Sequence, residues 1–295
     1  MPAKNPTKLK VAIAQIDTIA GDIDAALHKH LDMIGAARSI GAEVLLFPEL
    51  SLTGHNGGRQ TLELALRRDD PRLRKLAAAA GDMATIFGFI EEAPGGLFYN
   101  AAALVREGRV DLVHRKVNLA TYGALEDGKH FGAGEYIEIF ALGALWRVAV
   151  LICADLWNPA LVHLAALQGA TLLLAPVSSA VEAVGAEFDN PGGWDLCLRF
   201  YGMMYGFPLV MANRVGQEGG LTFWGGSRVV DPFGRVVAMA ERPSEQFVTT
   251  ELDYEALRRA RYLLPTVRDA NPVLVLRETE RLLRPKGGVE PDGVQ

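Results

Sequence analysis

An α/β architecture of four layers, α-β-β-α, with two β-sheets packed face to face and helices outside, follows from three observations. Short apolar runs of strand length alternate with longer segments of helical pattern. The order β-α-β-α-β-β-β is met twice along the chain, although no residue-level repeat accompanies it. Each half closes on a hairpin signal, Glu107-Gly108 in the first and Pro232-Phe233-Gly234 in the second. Sheets that carry helices on one face hide the other by packing together.

In the first half, Leu9 to Ile16 reads as a buried strand. Gly21-Asp22 opens a helix running to about Ile40, where Gly41 ends it as a C-cap glycine does. Glu43 to Phe47 is a short apolar strand stopped by Pro48-Glu49. A second helix is expected over Thr61–Ala80, with Arg67, Arg68, Asp69, Asp70 and Arg72 on a charged face. Strands Ala84–Glu91, Tyr99–Arg106 and Arg109–His114 follow, the last two joined at Glu107-Gly108.

After a loop-rich stretch, Val117 to Glu135, the order repeats. Strand Val148–Ile152 leads to helix Ala160–Gln168, which Asn158-Pro159 announces as N-cap and first-turn proline. Strand Thr171–Ala175, a helix over Gly193–Tyr205, strand Leu209–Ala212 and the hairpin of Ser227–Val230 with Val236–Ala240 complete the second half. Tyr254–Arg261 is helical. The chain then turns at Pro265 and Pro272, and a short apolar stretch, Val273–Leu276, precedes a Gly/Pro/polar tail, Pro285–Gln295, expected to be disordered.

The totals narrow the function. With 295 residues, 49% hydrophobic and 22% charged, the chain has the composition of a globular protein able to bury a large core. A formal net charge of −5 gives no footing for nucleic acid or an anionic membrane. No apolar stretch reaches the length of a membrane span, and Val11–Ala14 is too short for the core of a signal peptide. Two cysteines, Cys153 and Cys197, without a secretory signal read as free thiols in a cytoplasmic protein.

Cys153 follows the buried run Val148–Ile152 at the carboxyl end of a strand and just before a helix N-terminus, where open α/β sheets bind ligands and where a thiolate is favoured. On this segment alone it reads equally as a core residue. Two further charged groups arrive at strand ends: Glu49 after Phe47-Pro48, and Lys116 after Arg109–His114. A thiol needs a base or a positive field to attack, a shielded carboxylate serves as a base, and an ammonium stabilises a developing oxyanion. Alternatives fare worse. His55, His114 and His163 stand in no context suited to a Cys–His hydrolase. His28 and His30 do not share a helix face, and neither an H-E-x-x-H nor a G-x-S-x-G motif is present.

These segments together resemble the nitrilase superfamily of carbon–nitrogen hydrolases. The resemblance rests on Phe47-Pro48-Glu49 with Thr53-Gly54, on His114-Arg115-Lys116-Val117-Asn118-Leu119 and on Ile152-Cys153-Ala154-Asp155, in that order. Ala14-Gln15 with Gly21-Asp22, Tyr99-Asn100-Ala101, Asn213-Arg214-Val215-Gly216 and Gly226-Ser227 support it, so that it spans about Val11 to Asp253. It implies the four-layer sandwich, a hydrolase domain over residues 1–270 followed by a C-terminal extension over 271–295, and a homodimer or higher homo-oligomer. It also implies a triad of Glu49 as general base, Lys116 stabilising the tetrahedral intermediate and Cys153 as nucleophile, with no metal and no cofactor. The family's further acidic residue falls at Asp127, with Glu126 beside it, and the choice between them stays open.

The nitrile-cleaving members usually follow the cysteine with Trp-Glu. Here Ala154-Asp155 stands instead, as in amidases and carbamoylases. The segment Gln15…Gly21-Asp22 also resembles the glutaminase domain of glutamine-dependent NAD synthetase, but no synthetase domain follows, so a free-standing amidase acting on a small amide is expected. N-carbamoyl hydrolysis, nitrile hydrolysis and a catalytically silent binding member are the alternatives. The expected substrate contacts are Tyr122, Asp127, Trp157 and the backbone N–H of Ala154. Glu126, Glu182, Phe188 and Trp194 lie in the same candidate loops, 54–60, 120–135 and 178–194.

Overall fold

The structure, a computed structural model, describes residues 6–54 and 60–284. The loop read at 54–60 (apart from its ends), His55 within it, and the tail expected to be disordered, Pro285–Gln295, lie outside the described residues.

The first half runs β1 (Lys8–Gln15), α1 (Ile23–Ser39), β2 (Val44–Leu46), α2 (Thr61–Leu64), α3 (Pro71–Ala80), β3 (Ala84–Ala93), β4 (Leu97–Arg106), β5 (Arg109–Arg115) and the single turn α4 (Asp127–His130). The second half follows with β6 (Ile139–Leu142), β7 (Trp146–Val150), a 3-10 turn (Cys153–Trp157), α5 (Pro159–Leu167), β8 (Leu172–Val177), α6 (Asn190–Tyr205) and β9 (Leu209–Asn213). Then come β10 (Val215–Glu218), β11 (Leu221–Trp224), β12 (Arg228–Val230), β13 (Val236–Met239), β14 (Gln246–Asp253), α7 (Tyr254–Leu263) and α8 (Pro272–Leu283).

One sheet has the order β14-β1-β2-β3-β4-β5 and the other β13-β12-β9-β8-β7-β6, with β10-β11 as a separate ribbon. Each sheet carries three parallel strands, β1-β2-β3 and β7-β8-β9, flanked on both sides by antiparallel ones. The doubled order read from the sequence is therefore a doubled sheet. Strand alternation places Val11 and Ile13 in the same core as Val148, Val150, Leu172 and Leu174 of the other sheet. The intervening Ala12 and Ala14 share a second core with Ile23, Leu27 and Ile34 of α1 and Leu73 and Leu76 of α3. On the far side Leu161 and Val162 of α5 and Leu198 of α6 cover the second sheet. Four layers result.

The longer helices start on side-chain caps. Asp22 accepts from the Ala25 N–H at 2.9 Å, Asp70 from Arg72 at 2.8 Å, Asn158 from Ala160 at 3.2 Å, and Asn271 from Leu274 at 3.0 Å. Three of these four caps are followed directly by proline. The same device explains two departures from expectation. The helix expected over Thr61–Ala80 is two, because Asp70-Pro71 starts a new one after Leu66 has left the first to bond with Ile90 and Glu92 at 2.8 and 2.9 Å. The expected turn at Pro272 and the apolar stretch after it are helix α8, capped by Asn271. Strands β6, β10, β11 and β14, not expected from the sequence, are half-exposed elements of weak apolar contrast.

Candidate active site

The site lies where β2, β5, β7 and β8 end. β2 and β5 belong to one sheet and β7 and β8 to the other. Glu49 comes three residues after the end of β2, Lys116 directly after β5, Cys153 beyond β7 and Ser178 directly after β8.

Glu49 is buried and its carboxylate is fully engaged. Oε1 accepts from Lys116 Nζ at 2.7 Å and from Asn100 Nδ2 at 2.8 Å, while Oε2 accepts from the Ser178 N–H at 2.9 Å. Its placement depends on Gly88 in β3. A Cβ there would stand 2.1 Å from Leu50 N and 2.8 Å from the Glu49 carbonyl carbon, so only glycine lets the Glu49–Leu50 backbone lie this close. Leu50 itself is left-handed at φ 49°.

Lys116 donates to Glu49 and, also at 2.7 Å, to Asp127 Oδ2. Burial works against its charge, yet the carboxylates of Asp127 and Glu49 outweigh it and hold the ammonium well above its ordinary pKa. Asp127 also accepts from the Ala120 N–H at 3.2 Å. Glu126 is exposed and pairs with Lys129. Asp127, not Glu126, thus faces the lysine, and the alternative left open in the sequence resolves to the shorter side chain.

Cys153 opens the 3-10 turn with a left-handed backbone, φ 45°, and is buried. β7 ends at Val150, and α5 begins only after the turn, so the thiol does not sit on the α5 N-terminus as the sequence suggested. The expectation of a favoured thiolate is corrected with it. Burial and then the Glu49 carboxylate push the thiol pKa well above its ordinary value, against the smaller opposing pull of Lys116 and the Ser178 N–H. Burial and the neighbouring carboxylate thus both favour the neutral thiol.

Asp155, two residues on, is fully buried. Oδ1 accepts from the N–H groups of Val117 at 2.9 Å and Asn118 at 2.7 Å. Oδ2 accepts from Ile152 N–H at 2.9 Å and from His114 Nε2 at 2.9 Å, where the histidine must be the donor. From behind, the Leu156 carbonyl accepts Tyr201 Oη at 2.8 Å and Cys197 Sγ at 3.5 Å. Ser178, Asn100, His114 and Asp155 were not singled out for roles in the sequence. Ser178 had the same signal as Cys153, a residue at the end of a buried parallel strand.

The other expected contacts divide. Tyr122 borders the cluster: burial raises its phenol pKa, and the charges of Cys153, Lys116, Glu49 and Asp127 all act on it. Its loop is set by Gly123, where a Cβ would stand 2.0 Å from the Ala183 carbonyl, so loops 120–135 and 178–194 touch there. Ala154 is the second residue of the turn, before its first internal bond, Asp155 N–H to Ile152 O at 2.9 Å. Trp157 closes the turn and meets Phe188 and Trp194 edge to face, with ring centroids 5.9 and 5.1 Å apart. Glu182 is turned to the ribbon, accepting from the Thr222 N–H at 2.8 Å. Among the described residues no group of three or more His, Cys, Asp or Glu is arranged to hold a metal ion, and no helix is long and apolar enough to cross a membrane.

A buried carboxylate paired with an ammonium, and a buried thiol on which both act, lie beyond the carboxyl ends of strands from both sheets of an α/β protein. The chain belongs to the carbon-nitrogen hydrolase family, which it matches over residues 10–262. It is 31% identical over 252 residues to the glutamine-dependent NAD(+) synthetase of Thermotoga maritima, covering 84% of this chain but 42% of that protein. The chain therefore spans less than half the length of this relative. It is 30% identical to an (R)-stereoselective amidase of Pseudomonas sp., over 92% of this chain and 95% of that one. Among solved structures, an amidase of Nesterenkonia from the nitrilase superfamily superposes with a TM-score of 0.78 at 25% identity, over 94% of this chain and 100% of that chain. In a glutamate-to-glutamine variant of an amidase from Nesterenkonia, the acetamide moiety of fluoroacetamide is added covalently at the active-site cysteine.

Proposed function

We propose that this carbon–nitrogen hydrolase cleaves a small amide through a thioester on Cys153. The observation that carries the reading is one buried carboxylate, Glu49, that pairs with the ammonium of Lys116 at 2.7 Å and whose charge acts on the buried thiol of Cys153. A thiol held protonated by burial needs a base at the moment of attack, and Glu49 is in reach to be that base.

As Cys153 Sγ bonds to the amide carbonyl carbon, its proton passes to Glu49. The oxyanion forms near Lys116 Nζ and the Ala154 N–H, which supply its positive field. Collapse breaks the C–N bond, and Glu49 returns the proton to the leaving nitrogen, releasing ammonia or an amine and leaving the thioester. Water then gives a proton to Glu49 as its oxygen attacks the same carbon. The second collapse expels the sulfur, which recovers that proton, and the carboxylic acid departs. This cycle makes no use of a metal or cofactor.

The amidase relatives, nearly equal in length to this chain, favour a small amide as substrate. N-carbamoyl compounds and glutamine are the next candidates, the latter because of the glutamine-dependent relatives. Intact-protein and peptide mass spectrometry after mixing with aliphatic amides, N-carbamoyl amino acids, glutamine and nitriles tests the reading. An acyl adduct on Cys153 with the cognate compound supports it, and turnover by Cys153→Ala overturns it.

With both cysteines free, the reading includes a reducing, cytoplasmic setting. It also includes a homodimer or higher oligomer, for which the exposed Leu196, Phe200 and Met203 of α6 are apolar surface to cover. Light scattering distinguishes this from a monomer.

A further inference from the structure

We propose that Asp155 is the positioning residue of this site, a clasp between the two sheets that sets the distance from the Lys116 ammonium to the Cys153 thiol. The inference rests on the thioester reading above and adds a residue to it.

Lys116 and Cys153 come from different sheets, so the spacing between them is set by how those sheets dock. Hydrophobic packing alone is non-directional and leaves such a spacing loose. The Asp155 side chain makes most of the ties between the two segments. Asp155 Oδ1 takes the N–H groups of Val117 and Asn118, the two residues that follow Lys116, at 2.9 and 2.7 Å. Its Oδ2 takes the Ile152 N–H, just before Cys153, at 2.9 Å, and the His114 Nε2–H, two residues before Lys116, also at 2.9 Å. The carboxylate thus holds groups on both sides of Lys116 in sequence and, from two residues beyond Cys153, the N–H just before it. Asn118 closes the ring with its own Nδ2 on the Ala154 carbonyl at 2.7 Å.

The choice of a carboxylate follows from the donor count. Four N–H groups converge on a side chain with no exposed surface, and only an ionised carboxyl offers two oxygens with no hydrogen of its own. An asparagine in its place would turn an NH₂ towards at least one backbone N–H whichever way it faced. The packing volume would hardly change, so the substitution separates hydrogen bonding from bulk.

The test compares Asp155→Asn with the unaltered chain, using iodoacetamide labelling of Cys153, located by peptide mass spectrometry, to count competent sites. The expected result is a kcat per labelled site lower by roughly 10–100-fold with KM within about twofold. The Cys153 alkylation profile should move to higher pH, because a displaced Lys116 no longer pulls the thiol pKa down. A merely structural role would reduce the number of labelled sites and leave both per-site quantities alone, and that result overturns the proposal. Should Asp155→Asn fail to fold, Asn118→Ala removes the neighbouring bond at a half-buried position. It is expected to lower kcat per site several-fold in the same direction, and unchanged values there overturn the proposal equally. Cys153→Ala separates the two levels: if it is inert while Asp155→Asn keeps its kcat per site, only the clasp falls, and if it turns over substrate, both readings fall.

Discussion

Lys116 and Asp127 form an ion pair of 2.7 Å inside the protein, with side chains only 1% and 7% exposed. The lysine is shared with Glu49 at the same distance, so a single ammonium serves two carboxylates. Removing one member of a buried pair leaves a charge without compensation.

Asp127→Asn should therefore lower stability by about 3 kcal/mol, read from the urea midpoint. Activity should fall as well, because Lys116 is then held from one side alone. The adjacent Glu126, exposed and paired with Lys129 at the surface, gives the contrast. Glu126→Gln should stay within about 0.5 kcal/mol of the parent.

Glu49→Gln should separate reactivity from turnover. The Glu49 charge is one of the causes that raise the Cys153 pKa, after burial. Without it the thiol should ionise more readily, and its alkylation by iodoacetamide should begin at lower pH. Turnover, deprived of its base, should nevertheless drop by roughly 10²–10⁴-fold. Stopped-flow alkylation and steady-state kinetics on the same preparation measure both.

His30 makes the fold acid-sensitive. It is fully buried and stacked on Phe47 at 4.2 Å, with Nδ1–H donated to the Ala26 carbonyl at 2.7 Å and Nε2 paired with Ser51 Oγ at 3.0 Å. Burial lowers its pKa from 6.5 to about 4. A histidine kept neutral in the fold contributes stability that is present above pH 6.5 and is lost as the pH falls towards 4, up to about 3 kcal/mol. Denaturation midpoints measured from pH 7 to 4 should show this loss, and His30→Gln should flatten it.

Gly88→Ala should fail near the site although the change is one methyl group. Its Cβ would lie 2.1 Å from Leu50 N, and relief requires the Glu49–Leu50 backbone to move. A destabilisation of about 3 kcal/mol or more and a marked loss of activity are expected, from thermal melts and kinetics.

Much of the site was legible because Glu49 and Cys153 follow short apolar strands that end abruptly, and because Lys116 follows a hairpin strand. Their convergence follows from the doubled sheet. Asp155 was harder to see: three of its four partners are backbone N–H groups, two of them 37 and 38 residues away and one just before the turn, and they leave no mark in composition or charge pattern. The choice between Asp127 and Glu126 required the loop's path, since both lie at the same sequence distance, within one residue, from Lys116. For α8 the signal is ambiguous: Asn271-Pro272 is the same pair that announces α5 at Asn158-Pro159, but a short apolar run after a proline suits a turn as well as a helix. Strand β14, half-exposed at a sheet edge, has little hydrophobic contrast to betray it.

Because Glu49 and Lys116 ride on one sheet and Cys153 on the other, neither sheet alone owns the proposed chemistry. A swollen state that keeps its helices and strands but lets the two sheets drift apart would retain a native-looking far-ultraviolet spectrum and yet be inert. Turnover is thus a gauge of sheet-to-sheet docking, and on gentle heating or acidification it should vanish before the secondary structure does.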